Sequence, residues 1–508
     1  MSELDRVEFD PFEYAEQLGY TDELTKNDFT DPAAERAETK SGLTRRSLLV
    51  KGGVGAAALT GLGAVAGRAA AASEKAGKYT GTINMISLGV EWPPGAEQQA
   101  EKELGFKFNI QLMGTNAQVQ KAITAPTSFD VGGLYNYQFF QIWPTGNFQA
   151  VDRNKVKAWN NFYPIFTKGK VLPGRADCTP GQGNAPYRVM FLDPDRSTGL
   201  PLTKEGPKNN KAIVQWWNDA TNSANGSKPQ PRWIVGPPAH FNMDSLGYDG
   251  NVLKKAPGQV SWAELLNGKW KGRVAVLNDP AIAMADLGNA VQALGLMKFK
   301  DLGNMTRGEM DRLFKILGKY KKDGHFRAFW ATFNESVNLM ASKEVVIESM
   351  WSPAVALLVA QGVNCRYASP PEGMRGWCSA QGIPKHVTGD KQQAVYDYLN
   401  WMYDGFLGAL IMRQGYYIAN GSQLLSWIKS KGSAGKPAFT ADEFDFWYNG
   451  KAAPRDLPGI TGQVGDVKKG STRDGGSFLK RSCKYTAWNS FYTENVYQVK
   501  KYNEFLSA

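Results

Sequence analysis

Residues 82–112 read TINMISLGVEWPPGAEQQAEKELGFKFNIQL, and this stretch decides the fold class. Thr82 to Ser87 is a β-like run, Pro93-Pro94-Gly95 a turn, Ala96 to Leu104 an amphipathic helix, and 106–112 a second β-like run. Strand, helix and strand in that order imply a parallel sheet, which predicts an α/β fold. Further on, Phe129-Asp130-Val131-Gly132-Gly133-Leu134 reads as a buried strand, and the loop after it carries Tyr135 and Tyr137. In open α/β sheets the ligand crevice lies outside the carboxyl ends of the strands, so these tyrosines are placed to contact a ligand. Residues 168–230 break the rhythm with many Pro, Gly, Asn and Lys and one expected helical turn at Trp216-Trp217; they read as an insertion decorating one domain. The alternation resumes at Trp233 and runs through Val274 to Leu277, 345–350 and a helix near 391–403. Residues 461–477 are Gly-rich, and 485–506 read as a closing helix. There is no internal repeat.

Composition narrows the function classes. With 508 residues the chain is long enough for two or three domains, and 15 Trp, 20 Tyr and 25 Phe supply core without disulfide staples. Three dispersed histidines and four cysteines without a CxxC pair give no spacing for zinc, haem or iron-sulfur, so no metal or cofactor is expected. The net charge of +11 is spread along the chain without a polybasic run, a pattern of solvated surface rather than nucleic-acid binding.

The N-terminus to Lys40 is polar and acidic and reads as a disordered leader. Arg45-Arg46, the Gly/Ala-rich apolar run 52–67 and Ala69-Ala70-Ala71-Ala72 form a charged region, a moderate apolar region and a small-residue cleavage site. Together they resemble an export signal of the twin-arginine type, with cleavage near Ala72. The apolar run is shorter than the roughly 20 residues a bilayer span needs, so the mature chain is not expected to be an integral membrane protein. Cleavage leaves 51 basic against 36 acidic residues, a net +15. In an oxidising compartment Cys365 and Cys378 are a candidate pair, thirteen residues apart around Pro370-Pro371-Glu372-Gly373, with Cys178 and Cys483 remaining; four cysteines allow three pairings.

Ser261-Trp262-Ala263-Glu264-Leu265, followed by Lys269-Trp270-Lys271-Gly272-Arg273-Val274 and Asp279, resembles a segment of bacterial extracellular solute-binding proteins of ABC transporters. Glu91-Trp92-Pro93-Pro94-Gly95, Phe129-Asp130-Val131 with Tyr137, the run 336–351 and Gly415-Tyr416 resemble, in order and spacing, the spermidine/putrescine-binding branch over about 80–425. The resemblance implies a two-lobed, type II periplasmic-binding-protein-like fold, with lobe A at 78–245 plus 378–420 and lobe B at 246–377 plus 421–508. It implies a periplasmic receptor, monomeric, that clamps a solute between its lobes and delivers it to an ABC permease, with no catalytic residue.

In that branch, rings sandwich the polyamine chain and carboxylates hold its amines. Tyr137, Trp351, Trp377 and Tyr416 stand where the branch has rings, whereas Ser379, Pro280 and Ala283 stand where it has acids. A buried ammonium without a carboxylate is costly, so the ligand is expected to be another small organic solute: a flat ring, a sugar face or a quaternary ammonium. Trp92, Asn242, Asp244 and Asp279 complete the expected lining, Glu91 is a further cleft carboxylate, and Trp262 and Trp270 are read as structural. Two rivals are an exported enzyme, for which no GxGxxG, GxSxG or HExxH motif is present, and a ferric-iron receptor using Tyr416-Tyr417, which needs a local bend to bring both phenols together.

Overall fold

The structure, a computed structural model, describes residues 79–508 except 168, 170–177, 184, 193–216, 219–222, 225–229, 460–466 and 489–492. The leader, the twin-arginine segment and most of the 168–230 insertion lie outside the described residues. In chain order the strands used below are β1 (Thr82–Ser87), β2 (Lys107–Leu112), β3 (Val131–Tyr135), β4 (Gln182–Gly183), β5 (Pro238–Asp249), β6 (Val274–Leu277), β7 (Phe326–Trp330), β8 (Ile347–Met350), β9 (Cys365–Tyr367), β10 (Met374–Pro384) and β11 (Tyr485–Trp488). The helices are α1 (Ala96–Leu104), α2 (Thr115–Thr124), α3 (Asn136–Ile142), α4 (Pro280–Ala293), α5 (Arg307–Lys322), α6 (Phe333–Ala341), α7 (Ser352–Ala360), α8 (Gly389–Trp401) and α9 (Asn495–Ser507).

The α/β expectation holds. β1 pairs in parallel with β2 and with β3, forming one wing, and β6 pairs in parallel with β7 and with β8, forming a second. Between the wings run two long antiparallel strands, β5 and β10, joined by the register Phe241↔Cys378, Asn242↔Trp377, Met243↔Gly376 and Asp244↔Arg375. β10 continues into the first wing by pairing with β3, and β5 into the second by pairing with β8. The path is therefore β7-β6-β8-β5-β10-β3-β1-β2: two wings on a pair of crossing strands. Where both faces of a strand are covered, its sequence is continuously buried rather than alternating, as in β3, β6 and β8.

Local chemistry fixes the pieces that reach the centre. Asp279 caps α4 by accepting from the backbone N–H of Ala281 and Ile282, and Pro280 occupies the first helical position, where its missing N–H costs nothing. Reciprocal boxes start α5 (Thr306 with Glu309) and α6 (Thr332 with Glu335). No helix among the described residues is long and apolar enough to cross a membrane.

Four local expectations are corrected. Trp217 lies in a two-residue strand paired with Ser223–Ala224 rather than in a helical turn. Residues 485–488 form β11, parallel to β10, and only Asn495–Ser507 is helical. The stretch 421–508 does not belong wholly with the second wing: Phe444, Trp447, Tyr448, Phe478 and Tyr485 join the core that holds Phe241 and Tyr417, while Ala487 of β11 and Tyr502 and Phe505 of the closing helix pack into the second wing's core. Cys365 and Cys378 do not pair. They sit opposite Asp249 and Phe241, eight residues apart on β5, about 26 Å at roughly 3.3 Å per residue, far beyond disulfide reach. Cys178 and Cys483 are bonded, tying the edge of the insertion to the tail where β4 pairs with β11.

Candidate functional site

Side chains alternate along a strand, and directly paired residues share a face. The β5–β10 register therefore puts Asn242 with Trp377 and Asp244 with Arg375 on one face; the β10–β3 register adds Ser379 beside Tyr135. The strand side chains of the opposite face are Phe241, Met243 and Cys378, with Gly376 paired to Met243 and bare. Around the polar face converge the C-terminal ends of four parallel strands: β1 leads to Glu91, β3 to Tyr137, β6 to Asp279 and β8 to Trp351. This is the place where open α/β sheets bind ligands.

The polar face is closed over by both wings. Asn242, Asp244 and Ser379 are fully buried and Arg375 is 2% exposed. Asp244 Oδ2 accepts from Trp377 Nε1 at 2.5 Å, and its Oδ1 accepts from Asn242 Nδ2 at 3.0 Å. Asn242 Nδ2 also donates to the Ser352 hydroxyl at the start of α7. Arg375 lies between two carboxylates: Nε donates to Asp286 Oδ1 at 2.7 Å, and Nη2 stands 3.7 Å from Asp244 Oδ2. At the mouth, Tyr137 and Thr115 of the first wing donate to Asp279 Oδ2 at 3.0 and 2.8 Å, so the helix cap of the second wing also latches the crevice. A small pocket lined by Thr115, Tyr137, Gln141, Asp279 and Gln498 opens there.

At the far end, the Ser87 hydroxyl donates to Glu91 Oε2 at 2.6 Å, and both groups overlie Gly133, where any Cβ would collide with them. Ser379 Oγ donates to the His240 carbonyl. Aromatic edges wall the space: Trp377 meets Tyr135 at 5.0 Å and Tyr416 at 5.3 Å between ring centroids, both T-shaped.

Burial sets the charges. Desolvation pushes Glu91 up to about 7 against the hydrogen bond from Ser87, and holds His240 down to about 3, so the imidazole is neutral. Asp244 is pushed up to about 6 by burial, although Arg375 and the Trp377 indole pull it down; Asp286 is raised in the same way. Against the cost of its own burial, Asp286 and Asp244 hold the Arg375 guanidinium above its ordinary value.

Seven of the nine expected residues meet in this space: Tyr137, Asn242, Asp244, Asp279, Trp377, Ser379 and Tyr416. Two do not. The Pro93-Pro94-Gly95 turn folds Trp92 back onto the outer layer, where its indole stacks on Tyr398 of α8 at 5.7 Å and packs on Phe108. Trp351 caps α7 next to Ser352, yet its partly buried ring packs edge-on to Trp330 and stacked with Phe333 against the second wing's core. Tyr416 and Tyr417 point apart, Tyr416 to Trp377 and Tyr417 to Phe241 and Phe478, so the two phenols do not converge on an ion. Among the described residues no group of three or more His, Cys, Asp or Glu side chains converges as metal donors.

Sequence reasoning missed Arg375 and Asp286. Arg375 stands two residues before Trp377 and four before Ser379, one alternating face of one strand. Asp286 is seven residues after Asp279, two helical turns along the same face of α4. The acids absent at Pro280 and Ala283 are thus replaced by one placed a turn later, and it is already paired with the protein's own cation.

The sequence pattern described as bacterial extracellular solute-binding protein matches residues 96–422. No curated protein matches the chain. Among solved structures, a putative spermidine/putrescine ABC transporter protein from Listeria monocytogenes is similar at 14% identity and a TM-score of 0.47, over 72% of this chain and 91% of that one. A spermidine/putrescine substrate-binding protein from Streptococcus pneumoniae follows at 14% and 0.44, over 70% and 90%. A Treponema pallidum lipoprotein gives 8% and 0.45, over 84% and 98%. The sequence match spans well over half of the chain and includes both crossing strands and three of the four converging strand ends, those of β3, β6 and β8, and on that match the chain belongs to the bacterial extracellular solute-binding protein family.

Proposed function

We propose that this protein is an exported receptor that closes its two wings on a small organic solute at the polar face of the crossing strands and hands it to an ABC import permease. The observation that carries this reading is the convergence of four strand ends from two wings on one buried, ring-walled polar face, with side chains of both wings meeting across it at Asp279. Such a surface serves binding and hinge closure, and it requires no bond to be made or broken. The lobes divide at the crossing strands, with 421–485 assigned to the first. The segment 44–72 directs export through the twin-arginine route and is removed, leaving a periplasmic monomer.

A true polyamine does not suit this face. Its two innermost carboxylates, Asp244 and Asp286, share Arg375, so at most one ligand ammonium is matched there and the further ammonium of a polyamine would enter against a buried guanidinium.

The test is a thermal-shift and calorimetric screen of the full chain against amino acids, betaines, polyamines, sugars and aromatic acids. A ligand at a hundred times its Kd adds about 2.7 kcal/mol of stability, a shift that is easily read. One solute class should respond, and Trp377→Ala should abolish the response. No response from any class would sink the receptor reading.

A further inference from the structure

The crevice contains more charge chemistry than its internal contacts use. Arg375 is almost fully buried, and its Nη1 meets no hydrogen-bond partner among the described residues. Asp286 Oδ2, Asn242 Oδ1 and, one turn beyond Asp286 on α4, Asn289 Nδ2 are likewise buried and unpartnered among the described residues. Buried polar atoms are nearly always paired, and an unpaired edge on a buried guanidinium is among the costliest exceptions. These atoms come from β10, α4 and β5, the elements that surround the polar face, and they leave both a donor edge and an acceptor edge unfilled.

The charges specify what completes them. Two carboxylates face one guanidinium, and Asp279 and Arg481, of opposite sign, act on the pair from just beyond, leaving one negative charge to be matched, while Arg375 Nη1 offers one donor edge to an anion. Neutral His240 adds no cation. A diamine matches the carboxylates but brings one ammonium against Arg375; a dicarboxylate matches Arg375 but sets a second carboxylate against Asp244 or Asp286. We propose that the solute is a zwitterion with one carboxylate and one ammonium, the carboxylate received by Arg375 Nη1, the ammonium by Asp286 and Asp244, and the carbon linker packed against Trp377, Tyr135 and Tyr416. This rests on the crevice being the solute site.

Three four-carbon probes differ only in their ends: 4-aminobutyrate, 1,4-diaminobutane and succinate. Calorimetry on the full chain, extended to homologues one carbon shorter and one and two longer, should find a zwitterion bound about a hundredfold or more tighter than the diamine and diacid of its length. Asp286→Asn keeps an acceptor for Arg375 Nε, so it should fold while weakening the zwitterion about a hundredfold. Arg375→Gln should reverse the order in favour of the diamine; a melting curve checks that this variant is folded, and Asp286→Asn decides if it is not. A diamine or diacid bound tightest, and lost in Trp377→Ala, would overturn the zwitterion while leaving the crevice as the solute site. Zwitterion binding indifferent to Asp286→Asn, Arg375→Gln and Trp377→Ala would place the ligand elsewhere and overturn both. No binding by any probe overturns the zwitterion, and the wider solute screen then judges the receptor reading alone.

Discussion

The two faces of the β5–β10 pair are sealed from water to the same degree and are built for opposite ends. On one, Phe241 lies edge-on to Phe166 at 4.9 Å, Met243 is fully buried, and Gly376 lies so close beneath Trp488 that a Cβ would meet the indole at 2.7 Å. The tail fills this face with its own rings, and it is core. On the other, Asn242, Asp244, Arg375 and Ser379 are just as buried, yet Arg375 Nη1 and Asn242 Oδ1 meet no partner among the described residues and Arg375 Nη2 stands 3.7 Å from Asp244. Equal burial therefore does not mean equal packing: the first face is finished by the chain itself, the second is a crevice shut upon itself.

That contrast breaks most sharply under truncation. Phe241→Ala removes a ring from the finished face and should cost about 3–5 kcal/mol of unfolding free energy, with solute affinity of the folded fraction nearly unchanged. Trp377→Ala, an equally drastic truncation on the other face, should cost about 1–2 kcal/mol, because the crevice can re-close or open to water, yet abolish binding. Denaturant melts beside calorimetry separate the two. Equal stability losses would mean that both faces are core.

Charge sharpens it next. Arg375→Met leaves Asp244 and Asp286 buried without the cation that contacts both, a loss of about 3 kcal/mol at pH 7. Without the guanidinium both folded-state pKa values rise further, so the loss should shrink as pH falls and the carboxylates take up protons. Urea melts of the variant at pH 5 and pH 7.5 read the difference, and a deficit independent of pH would assign Arg375 to packing.

How much of this was legible in the chain follows from what sets each feature. The parallel wings were readable because Thr82 to Ser87 and Ala96 to Leu104 carry their periodicity locally, and they match the observed elements. The family resemblance made Asp279 conspicuous, and the strand ends made Tyr137 so. The pairing of Arg375 with Asp286 joins residues 89 apart from different elements, and no local pattern announces it. Trp92 misled because a ring next to a crevice turn looks the same whichever way the turn folds. Residues 485–488 misled because a short strand that only completes a sheet edge, paired to β10 and β4, has no periodicity of its own.

Glu91 gives a more specific effect, confined to one range of pH. Its folded pKa is raised from 4.5 to about 7 by burial. A carboxylate with a raised folded pKa binds its proton more tightly folded than unfolded, so its contribution is fully present below about pH 4.5, is lost as pH climbs to about 7, and is flat above. A rise of that size corresponds to about 3 kcal/mol. Glu91→Gln should thus be more stable than the parent above pH 7, by up to that amount, with the two converging at pH 4.5. Stability curves for both proteins across pH 4.5 to 8 test it, and parallel curves would remove Glu91 from the account. Asp244, pushed up to about 6, adds a second loss in the same direction between about pH 4 and 6 that both proteins share.

The smallest effect isolates closure from composition. Tyr137→Phe deletes the hydroxyl that donates to Asp279 Oδ2 from the opposite wing, leaves Thr115 on the same oxygen, and changes nothing else on the polar face. One such hydrogen bond is worth about 1 kcal/mol net. It exists only when the wings are together, so the closed state alone loses it. Affinity should fall about fivefold, since a ligand that needs the closed form binds more weakly as that form becomes rarer. Scattering or spin-label distances between the wings should shift toward open in the free protein, while global stability changes little. If the affinity falls with no change in the distances, Tyr137 is a ligand contact and not a latch, and the crevice closes by its ligand alone.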